Sequence, residues 1–453
     1  MTRSFARALR DSHARTVLVA AVTCCLLAPS ALAQTRARAA RPMEEPPAQW
    51  LAANASPLAT LEPSASDDDL RPLLPVISGA RMIALSDATH GTHEFYSLKQ
   101  RLIPFLVASA NVRTIVFEAP YAEFERISEY VRTGKGDPAE LLKSSDYFFW
   151  DTEEILELIR WVRGWNESGR APLNIVGVDC FHPATSIEVV LEYLRRVDSA
   201  AAADAEQRYS CLASRGDAPL LYAAQLDSHR NSCRDSVRSV RALIERGRGD
   251  YVRRTSTEEI ARVLYAARLV EQGEESFATL MGNRDEAMAE NIEWLLNRTD
   301  ANLVILGHNE HFGKTPYTLY REEGDASVGS ILAARHGSRY AAIGTVALQG
   351  FFNAMFFENG SGSIGVYPMA PASPADYATL LSAGPHAAMI VPLRAPLPSW
   401  LAQSRPIRIA GSTIISRRQT TVELTVPLAK RFDAVIYVEN STPTRMRHWP
   451  IAR

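Results

Sequence analysis

Short apolar runs alternate along the chain with longer amphipathic stretches. Residues 82–85, 112–117, 173–178, 303–306 and 340–346 are almost unbroken apolar segments, rich in Ile, Val and Leu. Runs of this length without polar alternation predict strands buried on both faces of a parallel sheet. Between them, 95–108, 121–133, 152–165 and 284–296 repeat apolar residues at helical spacing. In 152–165 the stripe is Ile155, Leu158, Ile159 and Val162. Pro104 is expected to bend its helix. Gly360, Gly362 and Gly365 mark a loop or hairpin. Segments 408–410, 421–426 and 432–438 are further strand candidates, and the last is expected to re-enter the main sheet. The fold class that follows is α/β, a largely parallel central sheet flanked by helices. Residues 187–297 are Ala-, Arg- and Glu-rich and mostly helical. They predict a helical subdomain inserted into the sheet domain, which spans 67–186 and 298–453.

Several strand-like runs stop abruptly at polar residues. The first opens into Ser86-Asp87-Ala-Thr-His90-Gly-Thr-His93-Glu94, the second ends at Glu118, and the fourth runs into His308-Asn309-Glu310-His311. Strand ends are where open α/β sheets build sites. Asp87 with His90, and His308 with His311, stand three apart, a spacing that brings side chains together if a helix begins there. Glu118 could instead cap a helix, and His93 could simply face solvent. The set suits two chemistries. An imidazole could act as general base toward water, oriented by a carboxylate, with another His or an Arg stabilising the oxyanion. The same groups, Asp87, His90, Glu118, His308 and His311, could hold a divalent metal that acidifies water. No Gly-x-Ser-x-Gly elbow, His-Glu-x-x-His pair or glycine-rich phosphate loop is present.

Before the first strand, Arg3, Arg7, Arg10 and Arg15 precede an apolar run, and Ala31-Leu-Ala33 offers a cleavage site. This pattern predicts a signal peptide over 1–33, export to the periplasm or beyond, and no stable membrane insertion after its removal. Residues 34–66 are expected to be a flexible lead-in, from which Trp50, Leu51 and Leu58 could dock on the body. Export permits a disulfide, and Cys211 and Cys233, 22 residues apart, are the expected pair, with Cys180 left over. A formal charge of -2 without a basic stretch beyond the leader argues against nucleic-acid binding.

At the polar strand ends the chain resembles the erythromycin esterase family. Ser86-Asp87-Ala-Thr-His90-Gly91-Thr92-His-Glu94-Phe95 resembles the first motif, Glu118-Ala119 the second, Arg284-Asp285 with Met288, Asn291 and Trp294 the third, and His308-Asn309-x-His311 the fourth. The resemblance implies a hydrolase without a serine nucleophile, whose best-known relatives open a macrolide lactone. By this likeness His90 is the base for water, and Asp87, Glu118, His308 and His311 are site residues. Arg284 or Arg101 would be the site arginine. Ser86 and Asp87 replace the family's glycine and glutamate. The shorter acid withdraws its carboxylate by about 1.5 Å, one carbon–carbon bond. The expected substrate is a small-molecule ester or lactone, with no cofactor beyond the possible metal. A catalytically degenerate ligand-binding protein is the remaining alternative.

Overall fold

The computed structural model describes residues 45–63, 66–145, 147–213, 232–316, 326–358, 361–394, 396–414, 416–448 and 451–452. Among these residues twelve strands follow in chain order: β1 (Ser56–Pro57), β2 (Met82–Asp87), β3 (Val112–Pro120), β4 (Asn174–Asp179), β5 (Asn302–His308), β6 (Tyr340–Glu358), β7 (Ser361–Pro368), β8 (Ala388–Pro392), β9 (Ser404–Ile409), β10 (Val422–Pro427), β11 (Ala434–Ser441) and β12 (Ile451–Ala452). Among the described residues they form a 10-stranded sheet and a separate β9–β10 pair. The order β11-β6-β2-β5-β3-β4 is parallel throughout. At the β11 edge, β8 and then β1 add antiparallel.

The parallel strands alternate their apolar side chains between two cores, as period-two geometry requires. Ile83, Leu85, Ile115, Phe117 and Leu306 face helices His93–Ser109, Tyr121–Thr133 and Glu153–Glu167. Met82, Ala84, Val116, Leu303 and Ile305 face the helices Arg284–Leu296 and Val328–His336. Both faces are covered, so the runs needed no polar positions. Helix His93–Ser109 continues through Pro104.

Several elements differ from expectation. The flexible lead-in does not extend past Pro47: helix Pro47–Asn54 begins there, and Trp50, Leu51 and Leu58 are buried, the docking their apolar character allowed, with Trp50 edge-on to Trp400 at 5.9 Å. Strand β6 runs well past 346 because its second half pairs with β7, which branches off the main strand order. The strand candidates 408–410 and 421–426 fall at β9 and β10, which pair with each other, and the 432–438 segment re-enters the main sheet as expected, as β11 beside β6. Strand β8 was not foreseen, since a five-residue run ending in Pro392 gives little signal.

Four helices, Pro183–Val197, Ser199–Ala213, Arg234–Arg254 and Thr257–Ala278, pack around a third core of their own. A Cys211–Cys233 disulfide ties two of these segments together, and Cys180 is a buried free thiol. Helix Arg284–Leu296 does not belong to this body. Its Met288, Ala289 and Ile292 pack on the sheet, which places Arg284 at the sheet's strand ends.

Candidate active site

The topology creates the site. Strand β5 comes late in the chain yet lies between β2 and β3. The C-terminal ends of β2, β5, β3 and β4 therefore present Asp87, His308, Glu118 and Asp179 side by side, and Asp87 is directly paired with His308. Gly307 leaves room for this convergence: a Cβ there would sit 2.7 Å from Glu118 Oε2 and 2.1 Å from the Phe312 ring.

His90 reaches Asp87 through a tight turn rather than through a helix, which begins only at His93. The turn is pinned on all sides. Ala88 N–H donates to Thr345 Oγ1 at 2.9 Å, and Ala410 N–H donates to Ala88 O at 2.9 Å. Gly91 O accepts from Asn353 and Thr444 N–H, both at 3.0 Å. A Cβ on Gly91 would lie 1.8 Å from Asn353 O, so no larger residue fits. The His90 ring is 4% exposed and stacks on Phe149, with centroids 4.4 Å apart. Its Nδ1 is 3.7 Å from Asp87 Oδ2 and its Nε2 is 3.9 Å from Glu118 Oε2. Neither His90 Nδ1 nor Asp87 Oδ1 has a hydrogen-bond partner. Closing the Nδ1 gap by about 0.7 Å would make a hydrogen bond.

Glu118 does not cap a helix. Its Oε2 accepts the His308 backbone N–H at 2.9 Å, and its Oε1 faces Arg284 Nη2 at 3.2 Å and His311 Nε2 at 3.4 Å. Burial opposes its charge, but His311, His90 and Arg284 outweigh burial and hold the carboxyl well below its usual range. Arg284 is anchored on Asp179, with Nη2 to Oδ2 at 2.5 Å. Tyr147 donates to the same Asp179 oxygen at 3.0 Å. His311 Nδ1 is 2.8 Å from Asp285 Oδ1. Burial disfavours its cation, yet Asp285 and Glu118 push its pKa up to about 9. At neutral pH the site thus holds an anionic Glu118 between two cations, Arg284 and His311.

His308 enters the site with both nitrogens committed. Its Nε2–H donates to Ala88 O at 3.2 Å and Ala410 O at 3.1 Å, and its Nδ1 accepts from Glu310 N–H at 3.4 Å. Burial, then His90, keeps this ring neutral. It braces the turn that carries His90. His93, expected at the surface, is half-buried against Glu154, 2.5 Å away.

Arg101 is a correction. Its guanidinium points away from the strand ends to Asp69, Thr60 O and Ser66 O. Residues two apart on a helix face opposite sides, so the cation that reaches Asp87 is Lys99, with Nζ 2.5 Å from Oδ2. Burial lowers the Lys99 pKa, against the pull of Asp87. Sequence reasoning also passed over Asp285 as a site residue, because an acid in the first turn of a helix looks like dipole compensation. The proposed metal ligands do not fit an ion: among the described residues no three His, Cys, Asp or Glu side chains cluster to hold one. Lys99 and Arg284 already neutralise Asp87 and Glu118.

An open parallel sheet carrying paired imidazoles, carboxylates and cations at its strand ends defines an α/β protein equipped for acid–base chemistry. The sequence model of the erythromycin esterase family matches residues 107–441, and the chain belongs to this family. The match begins after Asp87 and His90, so those two are placed by geometry. The type II erythromycin esterase of Escherichia coli is 21% identical over 333 residues, 68% of this chain and 79% of that one. A Bacillus cereus protein of solved structure is 25% identical, with a TM-score of 0.77 over 89% of this chain and 98% of that one. The fold is shared with an erythromycin esterase mutant solved in its open conformation: TM-score 0.67, 19% identity, 87% of this chain and 99% of that one.

Proposed function

We propose that the chain hydrolyses an ester or macrolide lactone with His90 as the base for water. The observation that carries this reading is the placement of the His90 ring between Asp87 and Glu118, beside the Arg284–His311 cation pair. His90 takes a proton from water as the oxygen adds to the ester carbonyl carbon. The tetrahedral oxyanion forms against Arg284 and His311, where fixed positive charge in a dry site is worth most. Collapse breaks the carbon–oxygen bond, and the departing alkoxide takes a proton from His311. The proton held by His90 then passes through solvent to the neutral His311, so both imidazoles regain their starting states and the net change is addition of water across the ester bond. Asp87 orients His90 once their gap closes, and catalytic hydrogen bonds are often long without substrate. His308 positions the turn. Export to the periplasm or medium, with cleavage after Ala33, belongs to the same proposal, and sequencing the N-terminus of the protein recovered from cells tests it.

The test is turnover of erythromycin and simple aryl esters by wild type and His90→Ala, each with and without chelator. Turnover lost in His90→Ala and indifferent to chelator is expected. A rate that survives the substitution would remove His90 as base. A rate abolished by chelator and restored by zinc or manganese would replace this mechanism with the metal-dependent one.

A further inference from the structure

A second polar cluster lies beside the site, and the proposed hydrolysis leaves it unused. Glu123 stands in the first turn of helix Tyr121–Thr133, just after the strand that delivers Glu118. It is 4% exposed, and its Oε2 is buried without a hydrogen-bond partner. Its Oε1 accepts from Thr185 Oγ1 at 3.1 Å and faces His182 Nδ1 at 3.4 Å. An anionic oxygen in that position is costly unless a donor satisfies it.

A continuous band of rings joins this cluster to His90. His90 stacks on Phe149 at 4.4 Å, Phe149 meets Tyr147 at 5.2 Å, and Tyr147 meets His182 at 5.3 Å. Phe181 flanks the last step, 5.2 Å from His182. Phe149, Phe181 and His182 are only half-buried, so the band is partly exposed at these three rings, while Tyr147 between them is buried. Rings offer apolar contact to a substrate body, and the buried carboxylate beyond them calls for a hydrogen-bond donor.

We propose that Glu123, steadied by His182 and Thr185, is a substrate subsite that selects esters carrying a hydroxyl or ammonium group remote from the scissile bond. The apolar body of such an ester lies along Phe149, Tyr147 and Phe181, and its hydroxyl or ammonium group donates a hydrogen bond to Glu123 Oε2. This inference deepens the hydrolase reading and rests on it.

Binding of non-hydrolysable amides separates the two. N-phenyl amides of alkanoic acids of increasing length, tipped with methyl, hydroxyl or amino groups, are titrated calorimetrically into wild type, Glu123→Gln, Glu123→Leu and His182→Phe. At one chain length wild type should bind a donor-tipped amide about tenfold tighter than the methyl-tipped one, as for a hydrogen bond to a charged group. The ratio should fall to about one in Glu123→Leu and shrink in His182→Phe, which keeps the ring contact. Hydroxyl and amino tips distinguish a neutral from a cationic donor. Thermal melts confirm folding, and Glu123→Gln carries the test if the leucine variant does not fold. No donor preference at any length, or one that survives in the Glu123 variants, overturns the subsite. Aryl-ester turnover by the same wild-type protein tests hydrolysis independently.

Discussion

At the residue scale, the Asp87–Lys99 pair is the contact on which the proposed orientation of His90 depends. Lys99 holds the Asp87 oxygen that lies nearest His90, and the shorter acid leaves a 3.7 Å gap to the imidazole. Glutamate at this position adds one bond, about 1.5 Å. Asp87→Glu is therefore expected to raise kcat/KM on aryl esters, by up to on the order of a hundredfold if misplacement now limits the rate. Lys99→Met leaves a buried carboxylate without its cation and should cost about 3–5 kcal/mol, read from chemical denaturation. In the proposed mechanism His311 is the group expected to set the pH dependence. With its pKa lifted to about 9, kcat should fall as pH rises through 9, and His311→Gln should remove that limb. The sign for stability is the same. A raised folded pKa stabilises fully below the unfolded value of 6.5, and the contribution is lost as pH climbs through 9.

At the scale of elements, the turn 88–92 and the short helix Asn309–Phe312 are the parts that must not move. Gly91 and Gly307 let backbone and carboxylate pass at distances that no Cβ tolerates. Gly307→Ala should push the Glu118 carboxylate and the Phe312 ring apart. Its expected cost is about 1–3 kcal/mol of stability, typical of overpacking, together with a loss of turnover larger than the shift in Tm suggests. Pro104 shows how tertiary contacts override a local rule. The helix it interrupts buries Phe95, Leu98, Leu102 and Leu106 against the sheet, and this apolar face keeps it helical.

At the scale of the molecule, the sheet carries the candidate site and the helical body between β4 and β5 folds around its own core. The Cys211–Cys233 bridge belongs to that body. Replacing both cysteines by serine should cost about 3 kcal/mol by loop-closure entropy. Hydrogen exchange is expected to rise in helices Ser199–Ala213 and Arg234–Arg254, while β2, β3 and β5 stay protected.

The parallel strands β2 to β6 and β11 were legible in the sequence, because strands covered on both faces must be apolar throughout, and polar residues at their ends stand out. Asp87, His90, Glu118, His308 and His311 were legible for that reason, and the family motifs added Arg284. Lys99 and Arg101 could not be separated on the chain: both are basic residues on one helix, and only the direction each side chain takes decides its partner. Asp285 and Asp179 were visible as acids, but their tasks, holding His311 and Arg284, depend on partners far away in sequence. The tertiary structure alone decided that β5 lies between β2 and β3. That insertion turns separate strand ends into one site, because neighbouring parallel strands about 4.8 Å apart bring their terminal side chains within hydrogen-bonding reach.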